Sequence, residues 1–272
     1  MIWQPRFQRR WAPGPQMGQR ELRWYAARPD LWFRADRLDT MFEDSGGTIP
    51  SGDTGPVTRW GDIGTRYEGV MALDTRSPTP PIRSEIGGKP SVYFEEGELQ
   101  INAKDALRNQ DQITILAVVR TMSDQGLAPW GRPIFYASTG TAEGFFRTAL
   151  SVSEEQAVLA SHRIDDTTTS RLDGIPVLLN QANVLVGVID HQQDLAFLQV
   201  NATRSVETPW EGVGSISDTD SLLLSIGRGP VSQATRYLTD THIHELIIFT
   251  RRLADREITN FLKYAQFYWG VS

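Results

Sequence analysis

Few residues in this 272-residue chain are spaced for chemistry, and its four histidines are the first to weigh. His242 and His244 stand two apart in an apolar run, so on a strand both side chains point to one face. Such a pair could give zinc two nitrogens, but the metal needs a third protein ligand and none is indicated nearby. The alternative is a polar strand end near a rim. His191 follows Asp190 in what reads as a hairpin turn, and His162 reads as a strand residue with a solvated tip. The densest carboxylates, Glu95, Glu96 and Glu98 around Gly97, read as a solvated strand end. The chain has no cysteine, which excludes disulfides, thiolate metal sites and cysteine nucleophiles. No Gly-x-Ser-x-Gly elbow, Walker loop or dinucleotide fingerprint occurs, and Gly227 to Pro230 is a turn.

Without an enzyme signature, binding residues carry the reading. Trp130 and Trp210 lie in loop-like stretches, where an indole either stacks on a ligand such as a sugar or covers an open end of the core. Residues 1–28 hold Trp3, Phe7, Trp11, Trp24 and Tyr25 among prolines and glycines, the aromatic-plus-arginine composition of interface hot spots. Six arginines against Glu21 give this arm a charge of +5, so the remainder carries −11 of the net −6. An acidic body argues against nucleic acid as the main partner. The arm docks on another subunit or lies back on its own domain.

These residues need elements to hold them. From Pro29 onward the text is a series of short strands: Leu31 to Phe33, Val57 to Gly64, Ser91 to Glu96, and Ile113 to Thr121, which is apolar on both faces and so central. Strands at 132–139, 145–153, 157–164, 183–190, 195–201 and 221–229 continue the series. Residues 75–90, with four prolines, read as a surface connection. The chain then closes on a strand from His242, with Ile243, Ile247 and Phe249 on one face and Leu246 and Ile248 on the other. An amphipathic helix follows, with Ile258, Phe261, Leu262, Ala265 and Trp269 on one stripe and Gly270 at its stop. Many short strands and one late helix predict an all-β fold, a two-sheet antiparallel jelly-roll sandwich with a C-terminal α-helix and an extended N-terminal arm. The expected units are 1–28 and 29–272. No apolar run is long enough to span a bilayer, and Met1 to Arg10 with its three arginines predicts no signal peptide.

Several stretches resemble, in order, the concanavalin A-like, laminin-G-like jelly-roll domains of phage virion and bacterial surface proteins. They are Leu31 to Asp36, Val57 to Gly64 with Trp60 and Asp62, Gly88 to Phe94, the paired strands from Asn183 to Asn201 around Asp190, and Glu245 to Gly270. One departure is Ala254, which stands where such domains place a Ser or Thr three residues before Glu257; either the cap is weak or Asp255 takes the role. The resemblance implies a rim that holds calcium or sugar. The candidate calcium ligands are Asp218 and Asp220 in one loop and Asp165 and Asp166 in another, hard oxygen donors that ordinary turn composition explains equally well. The closely spaced carboxylates of related glycosidases are absent, so no cofactor is required and no enzyme is expected.

The expected function is therefore a structural or adhesive component of a phage-like virion, made in the host cytoplasm. Its arm (Trp3, Phe7, Arg9, Arg10, Trp11) would anchor to neighbouring subunits, identical copies included, and the sandwich would face outward. The alternative is a carbohydrate-binding adhesin that recognises host surface glycans through its loop rim. A chain lacking residues 1–28 should fold with an unchanged cooperative melting transition in circular dichroism. Loss of that transition would show the arm to be part of the core.

Overall fold

The computed structural model describes residues 28–44, 46–63, 70–73, 79–101, 107–126, 131–138, 146–162, 169–210, 223–229 and 237–272. In chain order the strands are β1 (Leu31–Arg34), β2 (Met41–Phe42), β3 (Arg59–Gly61), β4 (Val70–Leu73), β5 (Ile82–Ile86) and β6 (Lys89–Phe94). Then come β7 (Leu99–Ile101), β8 (Gln112–Thr121), β9 (Arg132–Ser138), β10 (Phe146–Ser153), β11 (Gln156–His162) and β12 (Thr169–Pro176). The series ends with β13 (Asn183–Asp190), β14 (Leu195–Val200), β15 (Thr203–Arg204), β16 (Thr208–Pro209), β17 (Leu223–Ile226), β18 (Thr241–Phe249) and the helix α1 (Asp255–Trp269).

They form two antiparallel sheets. The first runs β15-β14-β13-β8-β18-β6-β5, and the second runs β12-β11-β10-β9-β17-β7-β4-β3-β2. The expected sandwich with one late helix is the fold observed. Strand β8 is central, as its apolar composition requires, lying between β13 and β18 along nearly its whole length. Between the sheets lies the main core, with Phe33, Trp60, Phe94, Ile115, Phe135, Leu150, Leu185 and Ile248. A second apolar layer, including Leu116, Val186, Phe197, Ile247, Phe249, Phe261 and Trp269, fills the space between the outer face of the first sheet and α1.

Three expectations need correction. Residues 75–90 are not a connection throughout, because Ile82–Ile86 is an edge strand paired with β6 across a Gly87-Gly88 turn. Both glycines have left-handed φ, 62° and 71°, a conformation that other residues rarely adopt. The strand Thr169–Pro176 went unread because Gly174 and a terminal proline mimic a loop. The third concerns β18. Its register against β8 shifts between Ile243 and Glu245, so His244 is an inserted bulge residue. The bulge reverses side-chain parity, and Ile243 joins Leu246 and Ile248 inside the sandwich while Ile247 and Phe249 face the helix.

The predicted helix stripe is buried, with Tyr264 added to it, and Leu262 is only partly covered. Ala254 is the N-cap. Its side chain offers no acceptor, but Glu257 accepts the Ala254 N–H at 2.9 Å and pairs with Arg251 at 2.8 Å. Half of the reciprocal box thus suffices, and Gly270 closes the helix in the left-handed region at φ 71°. The paired strands from Asn183 behave as their residues suggest. Asp190 Oδ1 accepts the Gln192 and Gln193 N–H groups at 3.1 and 3.2 Å, and Asn201 Oδ1 accepts Val184 N–H at 2.8 Å. Asp62 accepts the backbone N–H of Trp32 at 2.6 Å, tying the segment after β3 to the first sheet.

The helix is fixed by a buried carboxylate rather than by apolar contact alone. Glu245 is 0% exposed. Its Oε1 accepts Trp32 Nε1–H at 2.6 Å, and its Oε2 accepts Trp269 Nε1–H at 2.6 Å and Tyr264 O–H at 3.0 Å. Burial pushes its pKa up, while the Arg34 guanidinium 3.9 Å away and the indole N–H groups pull it back. Arg34 in turn holds Asp36 through two bonds of 2.9 and 2.6 Å, and Tyr268 O–H donates to the same carboxylate. Replacing Glu245 by Ala strands three buried donors at ~1–3 kcal/mol each. The Glu245→Ala chain should therefore lose at least about 3 kcal/mol of stability in urea denaturation, well beyond the effect of Glu257→Ala at the helix start. Equal losses would show that the helix docks without its carboxylate.

Candidate binding face

Helix α1 covers only part of the first sheet's outer face. Beyond it, toward the β5 edge, cross-strand pairing sets Ile82, Tyr93, His242 and Arg120 in one row. Ile82 is exposed, Tyr93 and Arg120 are half-buried, and His242 is buried between them.

Each member of the row is held by its neighbours. Tyr93 O–H donates to Glu95 Oε2 at 2.5 Å, with Asp240 Oδ1 3.3 Å away, and Glu95 Oε2 also accepts the Asp240 backbone N–H at 3.2 Å. The phenol ring packs against His242 with centroids 4.7 Å apart and planes inclined at 40°. Ser91 Oγ lies 3.0 Å from His242 Nδ1. His244, the bulge residue, donates from Nδ1 to the Pro90 carbonyl at 2.8 Å and lies 5.3 Å from the Trp269 indole, centroid to centroid. Its Nε2 is buried without a partner. Lys89 Nζ sits 5.6 Å over the Tyr268 ring.

Arg120 differs from several other arginines of the chain. Arg34, Arg228 and Arg252 all meet a carboxylate. Arg120 makes no ion pair among the described residues, and its Nε is buried without an acceptor. Its guanidinium lies against Gly87, where an added Cβ would stand 3.1 Å from Nη2 and 3.3 Å from Nη1. The glycine is favoured by its φ of 62°, and an added Cβ would also displace the guanidinium slightly.

Electrostatics keep the row largely neutral apart from Arg120. Burial pushes both His242 and His244 down to about 4. For His242, Asp240 opposes that shift and Arg120 adds to it; for His244, His242, Arg120 and Lys89 add to it. Burial, with Glu95 and Asp240 beside it, raises the Tyr93 phenol. A phenol held protonated in this way donates hydrogen bonds and is a poor nucleophile.

The residues singled out from sequence fare differently. Trp3, Phe7, Arg9, Arg10 and Trp11 of the arm, Trp130, and the calcium candidates Asp165, Asp166, Asp218 and Asp220 lie outside the described residues. Trp210 does not serve as a sugar platform. It is 2% exposed in the main core, and its Nε1–H donates to Ser161 Oγ at 2.7 Å. Both faces of its ring are enclosed by packing, which corresponds to the covering role left open for it. Glu95 and Glu96 are exposed as expected, but Glu98 is fully buried and pairs with Arg228 at 2.7 Å. His242 and His244 do share the outer face, yet their Nδ1 atoms are taken up by Ser91 and Pro90. Among the described residues no group of three His, Cys, Asp or Glu side chains could hold a metal, and no helix is long and apolar enough to cross a membrane.

Comparison with known proteins bears on the fold. No family model and no curated protein matches the chain. Among solved structures, the binding domain of botulinum neurotoxin serotype G superposes with TM-score 0.59 at 12% identity, over 89% of this chain and 54% of that one. Trypanosoma rangeli sialidase gives 0.55 at 13%, over 89% and 33%. The ligand binding domain of botulinum neurotoxin serotype D, solved in complex with N-acetylneuraminic acid, gives 0.54 at 7%, over 89% and 52%. The chain spans about half the length of the neurotoxin chains and about a third of the sialidase. At these identities the likeness is one of architecture.

The depressed histidines make stability depend on pH with a defined sign. Below about 6.5 the unfolded chain takes up protons at His242 and His244 that the folded chain refuses until about 4. Their contribution is complete above pH 6.5 and is lost as pH falls through that window. The urea midpoint should drop between pH 6.5 and 4, and a His242→Gln/His244→Phe chain should show a shallower drop.

Proposed function

We propose that this protein is a non-enzymatic carbohydrate-binding module that engages a saccharide on the outer face of its first sheet. The single observation that carries the reading is the row formed by Tyr93, His242 and Arg120. There a half-buried aromatic ring, oriented by its hydroxyl bond to Glu95, lies two strands away, across His242, from an arginine that makes no ion pair among the described residues. Sugars are bound by a ring face against C–H groups and by fixed polar groups around their hydroxyls, and rigid aromatics supply both at low entropic cost. The neighbouring architectures support the reading. One is the ligand binding domain of botulinum neurotoxin serotype D, solved with N-acetylneuraminic acid, and another is the binding domain of serotype G.

Of the two functions that the sequence leaves open, the adhesin is thus favoured over a purely structural virion component. The site is moved from a loop rim with Trp130 and Trp210 to a sheet face with Tyr93. The basic aromatic arm fits the same scheme as the means of attachment to a neighbouring subunit, in a phage-like particle or another assembly. Glycan-array screening of the purified chain should give saccharide binding that Tyr93→Ala weakens about tenfold, with the melting temperature nearly unchanged. Trp210→Phe should leave affinity alone while lowering stability. Array binding that persists undiminished in Tyr93→Ala would place the saccharide elsewhere.

A further inference from the structure

We infer that Arg120 reads a carboxylate, so that the ligand of this face is an acidic sugar rather than a neutral one. The inference rests on the saccharide-binding reading above and sharpens it to a ligand class.

The first ground is energetic. A half-buried guanidinium with no carboxylate partner among the described residues forgoes the ion pairs that Arg34, Arg228 and Arg252 make. Hydrogen bonds between charged partners are roughly twice as strong as neutral ones, and a planar fork matches a carboxylate bidentately. A fold that merely needed a polar residue at this place would lose little with Gln or Thr. Here the guanidinium packs closely on the backbone at Gly87, where an added Cβ would press on Nη2 and Nη1 at 3.1 and 3.3 Å.

The second ground is the surroundings, which restrict the anion. His242 lies across the strand pair and is held uncharged by burial, so it adds no positive charge at neutral pH. Lys89 is directed over the Tyr268 ring. Asp240 and Glu95 stand beside Tyr93 and bring negative charge close to the row. With Arg120 the one cation of this row that lacks an ion pair among the described residues, two acids beside the row and a chain of net charge −6, a polyanion or a phosphate dianion would be repelled. A single carboxylate on an otherwise neutral, hydroxyl-rich molecule meets no such barrier. Tyr93, half-exposed in this row, then offers the ring that the rest of such a molecule would use.

The test uses the full chain and calorimetric titration with three probes: sialylated or glucuronate-terminated oligosaccharides, the same compounds with the carboxylate methyl-esterified, and the neutral oligosaccharides lacking the acidic sugar. Binding of the acids, about tenfold or more weaker for the esters and neutral probes, is the expected result. Arg120→Ala should abolish that preference, and Arg120→Lys should restore part of it through charge without the fork. Unchanged melting temperatures would separate these effects from unfolding. Gly87→Ala, which displaces the guanidinium while keeping its charge, should also weaken acid binding. Equal affinity for acids, esters and neutral sugars would overturn the carboxylate assignment and leave saccharide binding standing. Binding to an acidic peptide such as oligoglutamate, with no saccharide bound at all, would overturn both.

Discussion

One buried carboxylate organises the closing end of this molecule. Glu245 sits on β18 beneath the C-terminal helix and collects three donors from two other elements: Trp32 on β1, and Tyr264 and Trp269 on α1. Desolvating a carboxylate is costly unless its acceptor sites are filled, and here three donors and the nearby Arg34 fill them. The cost is specific in its effect. An apolar interface tolerates sliding, whereas two bonds from α1 to Oε2, with Oε1 held by Trp32 on β1, fix the helix in azimuth and along its axis. The second apolar layer, from Leu116 to Trp269, packs in the position so defined.

The bulge at His244 follows from the same place in the chain. Strand β18 serves two partners along one edge, β6 at its start and β1 toward its end, and the extra residue falls at the handover. Its consequences reach both faces. Ile243 turns into the sandwich, while Glu245 turns out toward the helix and joins the side where His242 and His244 already lie. The Pro90 carbonyl, left without a ladder partner as β6 diverges, accepts the His244 N–H instead. The hairpin tip with Gly87 and Gly88 then comes near Arg120. A single inserted residue thus connects the structural carboxylate to the proposed binding face.

Much of the fold was legible. Strands 183–190 and 195–200, the central strand 112–121 and the helix were all read from periodicity and turn residues, because each has a run long enough for its period to show. Short edge strands were not. Ile82–Ile86 follows a proline cluster, and Thr169–Pro176 contains glycine and proline, so their pairing depends on a neighbour already in place. The site was less legible still. Trp210 looked available because its flanking residues are loop-like, yet the core on which it packs comes from strands far away in sequence. Tyr93, His242 and Arg120 occupy unremarkable positions in three strands, and no spacing rule links them.

Amino-acid order by itself determined the all-β class, the single late helix, the lack of thiol chemistry and the charge contrast between an arginine-rich arm and an acidic body. These are properties of local periodicity and of composition, which need no partner strand to be read. Tertiary structure alone decided which glutamates are buried and which side of β18 each isoleucine takes. It also decided that Arg120 finds no carboxylate among the described residues while Arg34 and Arg228 do. The physical reason is register: cross-strand neighbours are set by how two distant segments align, and a one-residue shift exchanges the faces of a strand.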